Sequence, residues 1–350
     1  MIRIAINGFG RIGRIFFRQA FSNADLDIVA VNDLGSPENL AYLLKYDTVY
    51  GRYAKNIETT TRDGKSYLVI STPPSPEATE GRKQEILVLS EKDPSKLPWK
   101  DLGIDIVIES TGAFDSKEKS LPHIQAGAKR VVITAPAKDD VTVTATPGLG
   151  MQNLSSDTIT SNGSCTTNAI NPVIAVLMSD PGVKKAMLTT VHAYTALQGL
   201  VDGPDRGTYF RRSRAAAQNI VPYITGAAKT TTKVLTELEG KFDGLAIRVP
   251  VISGSLIDIT FLAARPTSVE EINNIFKEAA AKPEWQGILT ITEEQLVSSD
   301  ILGNPHGSIV DLALTKVVDG DLVKVFAWYD NEWGYCAMLL KHVLAVASIL

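Results

Sequence analysis

The chain has few of the residues that cross-link proteins or bind metal ions. Among its 350 residues there are only two cysteines and four histidines. Cys165 and Cys336 cannot form a disulfide framework, and a zinc site with four cysteine ligands is excluded. Histidine is equally scarce, so we expect no metal site. Low cysteine usage is typical of a reducing compartment, and we expect a cytoplasmic protein.

A strong charge excess and long apolar runs are also lacking. Lys and Arg number 35 against 39 Asp and Glu, a net charge of −4, whereas a dedicated nucleic-acid binder usually carries a basic excess. The apolar start of the chain is too short for a signal peptide. The apolar stretch Met338–Leu350 is too short to span a bilayer and is expected to be a packed helix. We therefore expect neither a nucleic-acid partner nor a membrane partner.

A length of 350 residues predicts roughly two domains. In the first half, strand and helix patterns alternate, as in a buried parallel sheet. The predicted strands are Ile2–Ile6, Asp27–Asn32, Asp105–Glu109 and Arg130–Thr134, and the predicted helices are Arg11–Ser22 and Asn39–Lys45. The polar, proline-rich segment Ser71–Gln84 is predicted to be a surface loop.

The second half has longer strand patterns and indicates an α+β domain with a mixed or antiparallel sheet. The predicted strands are Lys185–His192, Gly244–Pro250, Gly254–Ala264 and Leu322–Asp330, and helices are predicted near Pro222–Leu238 and Ser268–Ala281.

A glycine-rich segment follows the first predicted strand and opens the first predicted helix. Its glycines are Gly8, Gly10 and Gly13, and Asp33 ends the next strand 20 residues later. This is the pattern of a dinucleotide site, in which glycines let the pyrophosphate approach a helix N-terminus and the acid binds the adenosine ribose. A carboxylate there repels a 2′-phosphate and favours NAD over NADP. The alternative is a glycine turn that only packs helix against strand.

Cys165 lies where an apolar helical pattern begins, between hydroxyl residues Ser164 and Thr166. A helix N-terminus stabilises a thiolate, so the position suits a nucleophile. A buried, inert thiol fits the position equally well. His192 ends a predicted strand and is a candidate partner base, although such a histidine is more often structural.

Several arginines suggest an anionic ligand. Arg211, Arg212 and Arg214 lie within four residues, and Arg248 lies on a half-buried strand. Buried guanidinium groups need partners, and phosphate or carboxylate suits them. A solvated loop and an internal salt bridge are the alternatives.

Six segments in order resemble one known family. They are Ile6–Arg14, Ser164–Asn168, His192–Thr195, Thr225–Lys229, Arg248–Pro250 and Trp328–Tyr335. Along essentially its whole length, the chain resembles the phosphorylating glyceraldehyde-3-phosphate dehydrogenases (type I family). The resemblance implies an α/β fold with a Rossmann-type dinucleotide-binding domain and an α+β catalytic domain. The expected boundaries are 1–164 plus 332–350 for NAD binding and 165–331 for catalysis.

The resemblance also implies a role for each candidate residue. Cys165 would be the nucleophile and His192 its base. Thr195 and Arg248 would hold the substrate C3 phosphate. The attacking inorganic phosphate would be bound by Ser164, Thr166, Arg212, Thr225 and Gly226. The NAD contacts would be Gly8, Gly10, Arg11, Ile12, Gly13, Asp33 and Thr111, with Asn331 on the nicotinamide carboxamide.

The implied reaction is NAD-dependent oxidation and phosphorylation of glyceraldehyde 3-phosphate through a hemithioacetal and a thioester on Cys165. The segment Val201–Gln218 would pack near a neighbouring subunit's cofactor, which implies a homotetramer. Cys336 is expected to be inert. Two alternatives stay open: the sister activity on erythrose 4-phosphate, which releases a free acid, and a non-catalytic NAD-binding protein associated with RNA.

Overall fold

The computed structural model describes residues 1–72, 83–204 and 207–350. Within them the chain forms two compact units. The first comprises Met1–Val143, Gln152–Asn162 and Leu339–Leu350, and the second comprises Thr144–Met151 and Gly163–Met338.

The first unit is built on a largely parallel sheet. Its strands, among the described residues, are β1 (Ile2–Asn7), β2 (Leu26–Asn32), β5 (Asn56–Arg62), β6 (Lys65–Ser71), β7 (Lys83–Leu89), β8 (Ile106–Glu109), β9 (Arg130–Ile133), β10 (Val143–Thr144) and β11 (Ile159–Ser161), and a separate hairpin pairs β3 (Tyr46–Asp47) with β4 (Gly51–Arg52). The strand order is β10-β11-β9-β8-β1-β2-β7-β6-β5. Because β2 and β8 flank β1 on opposite sides, the carboxyl end of β1 is a topological switch point, where ligands of such sheets bind.

Three helices connect strands of this sheet: α1 (Arg11–Ala20), α2 (Pro37–Lys45) and α3 (Lys117–Gln125). Ser36 caps α2 by accepting a hydrogen bond from the amide of Asn39, as the serine–proline start of that helix predicts. Ser116 caps α3 in the same way through Lys119.

The second unit contains a mixed sheet, and the predicted fold class is confirmed. The strands described are β12 (Val183–Ala193), β13 (Val221–Ile224), β14 (Phe242–Val249), β15 (Ser255–Ala263), β16 (Leu289–Thr292), β17 (Ser308–Val318) and β18 (Leu322–Tyr329), in the order β13-β14-β12-β15-β18-β17-β16. The helices are α4 (Cys165–Ser179), α5 (Ala227–Thr232), α6 (Val269–Ala281) and α7 (Trp333–Ala347), the last of which continues into the first unit.

Alternate residues of the sheet form the core of this unit. Along β15, Ile257, Ile259 and Phe261 are buried in one cluster with Ile170 of α4 and Phe276 of α6. The side chains between them are half-buried and point to the opposite face, as the two-residue period of a strand requires.

The predicted helix near Pro222–Leu238 is wrong over its first part. Residues 221–224 form the edge strand β13, only Ala227–Thr232 is α-helical, and Thr236–Leu238 is a 3₁₀ turn. An edge strand tolerates a proline, and Gly226 separates strand from helix.

The expected loop Ser71–Gln84 has its ends in strands, with Ser71 paired to Lys83, and positions 73–82 lie outside the described residues.

Two predicted domain boundaries differ from the compact units. Residues 144–151, 163–164 and 332–338 belong to the second unit, although they were expected in the first domain. Thr146 accepts a hydrogen bond from Asn171 in α4, and Met338 is buried in the core of the second unit. Among the described residues, no helix is both long and apolar enough to cross a bilayer.

Candidate active site

The glycine-rich turn after β1 has the backbone geometry that a dinucleotide cradle needs. Gly8 has φ +91°, and a Cβ there would lie 2.6 Å from the carbonyl carbon of Ser110. A Cβ on Gly13 would lie 2.2 Å from the carbonyl oxygen of Gly8. Around Gly10 there is open space, so a pyrophosphate can approach its backbone. Gly8 therefore permits the turn, Gly13 permits close packing of the helix start against it, and Gly10 gives the pyrophosphate access.

Next to this turn the first unit has a cavity of about 350 Å³, lined by Gly8, Gly10, Asp33, Thr111 and their neighbours. The Asp33 carboxylate accepts hydrogen bonds from the amides of Phe9 (2.7 Å) and Gly35 (2.9 Å). It is thereby fixed at the end of β2, where a ribose would bind. The Asp33 carboxylate and the open backbone at Gly10 suit the ribose and the pyrophosphate of NAD.

The other NAD candidates of the first unit lie on adjoining elements. Arg11 and Ile12 form the first turn of α1, and the guanidinium of Arg11 forms an ion pair with Asp47 at 3.0 Å. Thr111 follows β8, and its amide and hydroxyl both donate to Glu109.

Cys165 is the first residue of α4. Ser164 is the N-cap and accepts a hydrogen bond from the amide of Thr167 at 3.0 Å. This cap places the thiol at the positive end of the helix dipole. The Sγ atom lies 3.3 Å from Nε2 of His192, the last residue but one of β12. The structure therefore brings together the two residues that sequence position alone could not connect.

Strand register places Arg248 beside His192, because the two are partners in the parallel pair β12–β14. Nδ1 of His192 lies 2.7 Å from the carbonyl oxygen of Ala193 and also faces Nη1 of Arg248. Nη1 donates to the same carbonyl at 2.9 Å. When Nδ1 carries the proton, Nδ1 and Nη1 both donate to the carbonyl oxygen of Ala193. The lone pair of Nε2 then faces Sγ of Cys165.

Burial and the positive charge of Arg248 lower the pKa of His192 to about 3, so its imidazole is neutral at physiological pH. Burial also raises the pKa of the Cys165 thiol, while Arg248 and the hydrogen bonds of Thr166 oppose that rise. The resting pair is thus a neutral thiol beside a neutral base.

Residues 195–248 provide the candidate anion donors. The hydroxyl oxygen of Thr195 is buried without a hydrogen-bond partner among the described residues, so it is available to a ligand. Nη1 of Arg212 donates to the hydroxyl of Tyr223 at 3.3 Å, and the Tyr223 ring lies 5.8 Å from the guanidinium of Arg248. Tyr223 thus links the two arginines to which the family resemblance gives two different phosphates.

The remaining phosphate candidates lie at two helix starts. The Thr166 hydroxyl in α4 is 3.0 Å from that of Tyr329. Thr225 and Gly226 precede α5, which packs against α4, and Thr225 accepts a hydrogen bond from the amide of Ala227. A Cβ on Gly226 would meet no atom within 4 Å, so its backbone is accessible.

Asn331 lies in the second unit with its orientation fixed. Its Oδ1 accepts hydrogen bonds from the amide of Gly254 (3.0 Å) and the hydroxyl of Ser255 (2.8 Å). The side chain therefore presents its NH₂ group, the donor that a nicotinamide carboxamide oxygen requires.

Sequence reasoning missed two tyrosines of this site. The hydroxyl of Tyr329 contacts those of Thr166 (3.0 Å) and Thr190 (2.8 Å), and its ring meets that of His192 edge-on. Tyr223 was assigned to a helix instead of an edge strand. Tyr329 lies in the family segment Trp328–Tyr335, but no role could be predicted for it, because its contacts depend on strand pairing.

Cys336 is completely buried in α7, in agreement with an inert role. No group of three or more His, Cys, Asp or Glu side chains that could hold a metal ion occurs among residues 1–72, 83–204 and 207–350.

Comparison with known proteins identifies the family. Residues 2–117 match the family model "Glyceraldehyde 3-phosphate dehydrogenase, NAD binding domain", and residues 164–331 match the "C-terminal domain" model of the same name. The chain is 45% identical to glyceraldehyde-3-phosphate dehydrogenase of Streptomyces coelicolor over 100% of this chain and 99% of that protein. It is 47% identical to that of Borreliella burgdorferi (95% and 96% covered) and 43% identical to glyceraldehyde-3-phosphate dehydrogenase 2 of Bacillus subtilis (98% and 97% covered). The chain belongs to the glyceraldehyde 3-phosphate dehydrogenase family.

Proposed function

We propose that this chain oxidises glyceraldehyde 3-phosphate with NAD and phosphorylates the product to 1,3-bisphosphoglycerate, as a glycolytic and gluconeogenic enzyme. The observation that carries the proposal is the contact of 3.3 Å between Sγ of Cys165 and Nε2 of His192, with Arg248 adjacent. A nucleophile, a base and an anion donor in one place suit acyl chemistry on a phosphorylated aldehyde.

Nε2 of His192 takes the thiol proton as Sγ of Cys165 attacks the aldehyde carbon, and it passes that proton to the carbonyl oxygen, so that a hemithioacetal forms. His192 is neutral at physiological pH, so its Nε2 can take the hydroxyl proton while the carbon is oxidised. NAD, when bound, supplies the hydride acceptor. The oxidised carbon remains on Cys165 as a thioester, which keeps the acyl group activated for attack by inorganic phosphate.

Two anions must be bound, the substrate phosphate and the attacking phosphate. We assign the first to Thr195 and Arg248, because the Thr195 hydroxyl has no other partner among the described residues and Arg248 lies beside the base. The second is assigned to Ser164, Thr166, Arg212, Thr225 and Gly226. Their donors are hydroxyls, one guanidinium and backbone groups, which suit a transition-state oxyanion as well as a phosphate.

We assign NAD to Gly8, Gly10, Arg11, Ile12, Gly13, Asp33, Thr111 and Asn331. Support comes from the open cradle at Gly10 and from the orientations of the Asp33 and Asn331 side chains.

We also propose a homotetramer in the cytoplasm. The assembly is supported by an apolar sheet face of the second unit, where Met187, Ile224 and Leu245 are exposed.

The test is NAD reduction by the purified chain with glyceraldehyde 3-phosphate, with and without inorganic phosphate, repeated with NADP. We expect NADH formation that depends on phosphate, little reaction with NADP, and loss of turnover in Cys165→Ala. NADH formation that ignores phosphate would indicate a free-acid product, as in the sister activity on erythrose 4-phosphate. Undiminished activity of Cys165→Ala would rule out the proposed nucleophile.

A further inference from the structure

A buried carboxylate is hydrogen-bonded to residues that line the candidate NAD cavity of the first unit. Glu109 ends β8, directly beside β1, and is only 2% exposed. The proposed reaction gives it no role. The charge of Glu109 follows from its hydrogen-bond partners. Whether each partner donates or accepts is set in turn by the residue bonded to that partner.

His123 donates to Glu109 as a neutral ring. The indole nitrogen of Trp99 is a donor only and lies 3.0 Å from Nδ1 of His123, so Nδ1 must be the acceptor. A neutral imidazole then carries its proton on Nε2, which lies 3.1 Å from Oε2 of Glu109. A second proton on this ring would break the bond with Trp99.

Asn7 is oriented by a chain of hydrogen bonds. Asn32 bonds both backbone groups of Glu91, accepting from its amide and donating to its carbonyl. Its NH₂ group also donates to Oδ1 of Asn7 at 2.7 Å. Asn7 therefore turns its own NH₂ group towards Oε2 of Glu109, at 2.6 Å.

The other carboxylate oxygen of Glu109 receives two hydrogen bonds from Thr111. The amide of Thr111 donates to Oε1 at 2.8 Å, and the threonine hydroxyl donates to the same atom. Glu109 thus accepts four hydrogen bonds in these contacts, from Asn7, from His123 and from the amide and hydroxyl of Thr111. It is an ionised carboxylate whose four partners are all neutral groups.

The strand order shows which part of NAD lies over this charge. Asp33 directly follows β2 on one side of β1, and the pyrophosphate is assigned to Gly10 in the turn after β1 itself. The nicotinamide half would then lie on the β8 side, where Thr111 lines the cavity and Glu109, two residues earlier, ends β8. The oxidised nicotinamide ring carries a positive charge, and the reduced ring is neutral.

We propose that the buried charge of Glu109 makes the site select oxidised over reduced cofactor. The proposal rests on the NAD site of the proposed function. A charge in a protein interior is poorly screened, so at an effective dielectric constant of about 20 it changes the affinity for a cation held within about 10 Å about tenfold or more. Binding of NAD⁺ is thereby favoured, and release of NADH is eased.

The experiment measures the dissociation constants of NAD⁺ and NADH by calorimetry on the full chain, without substrate. In Glu109→Gln we expect the NADH/NAD⁺ ratio of dissociation constants to fall about tenfold. Glu109→Asp keeps the charge and should keep the ratio within about twofold. Thr111→Val disturbs the same loop without changing charge and should weaken both forms equally.

Equal weakening of both forms in Glu109→Gln would mean that Glu109 only supports the loop, and the proposal would be wrong. If that variant does not fold, Ala113→Lys adds a cation on the exposed rim of the cavity, with Ala113→Gln as its neutral control. An unchanged ratio in Ala113→Lys would also refute the proposal. A wild-type chain that binds neither form would instead contradict the NAD site itself.

Discussion

Arg248 influences two titratable side chains at once. Its charge lowers the pKa of both Cys165 and His192, and it is also the assigned ligand of the substrate phosphate. Loss of the charge therefore reduces the thiolate fraction, whereas loss of the planar guanidinium fork reduces phosphate binding. Two substitutions at this one position separate the two effects.

We predict that Arg248→Ala slows alkylation of Cys165 by iodoacetamide several-fold at pH 8, because the thiol pKa rises. Arg248→Lys should restore alkylation, since it keeps the charge. Both variants should raise the KM for glyceraldehyde 3-phosphate at least tenfold, because lysine cannot bind phosphate through two parallel hydrogen bonds. Alkylation that stays slow in Arg248→Lys would exclude charge as the cause.

His192 also makes stability depend on pH. Its pKa is about 3 in the folded chain and near 6.5 in the unfolded chain, so between these values the unfolded chain binds the extra proton. Above pH 6.5 this group does not lower the free energy of unfolding. As the pH falls below 6.5, protonation of the unfolded chain lowers that free energy. At pH 5 the loss is about 2 kcal/mol.

We predict that His192→Asn is less sensitive to acid than the wild type. The difference in unfolding free energy between pH 7.5 and pH 5, from urea titrations, should shrink by about 2 kcal/mol in the variant. All other titratable groups are common to both chains, which makes the wild type the control. The same pH difference in both proteins would mean that His192 is not a buried neutral base.

At the scale of elements, the N-cap of α4 connects stability with chemistry. Ser164 accepts from the amide of Thr167 at 3.0 Å, and Ser268 caps α6 in the same way through Glu271 at 3.2 Å. Ser164→Ala and Ser268→Ala should each cost about 1 kcal/mol in urea unfolding. Only Ser164→Ala should also slow turnover and raise the KM for inorganic phosphate. A matching kinetic loss in Ser268→Ala would show that destabilisation alone explains the effect.

Local sequence patterns predicted the elements that carry their own signals. The β1–α1–β2 unit needs only apolar strands, a glycine turn and a helical period, and these lie within residues 2–32. Strands β5, β6 and β17 were not predicted. Strand β5, for example, is mostly exposed and polar and owes its form to antiparallel pairing with β6. Strand pairing depends on distant residues, so a local period does not reveal it.

The same distinction holds within the candidate site. The glycines and Asp33 could be placed from spacing, and Cys165 from the helix that it begins. The contact of Cys165 with His192, and the position of Arg248 beside that histidine, depend on the register of β12 and β14. Only the family resemblance supplied these partners in advance. Tyr223 and the buried partners of Glu109 had no comparable signal.

At the scale of the whole molecule, the mixed sheet of the second unit exposes several large apolar side chains on the face opposite its helices. One row of neighbouring residues across it contains Ile224, Leu245, Thr189, Asp258 and Phe326. Ile224 is 63% exposed and Leu245 is 42% exposed. Apolar side chains grouped on an exposed sheet are typical of a protein interface, and a second copy of the chain is the partner that the proposed homotetramer would supply.

We predict that Leu245→Glu weakens this assembly, because it places a charge within the apolar face. In sedimentation velocity the wild type should run at four times its chain mass of 37.8 kDa, and the variant should shift to smaller species. Leu121→Glu is the matched control: Leu121 is 41% exposed on α3 of the first unit, and its substitution should leave the mass unchanged. A wild type that sediments as a monomer would contradict the tetramer, and an unaffected Leu245→Glu would place the interface on another surface.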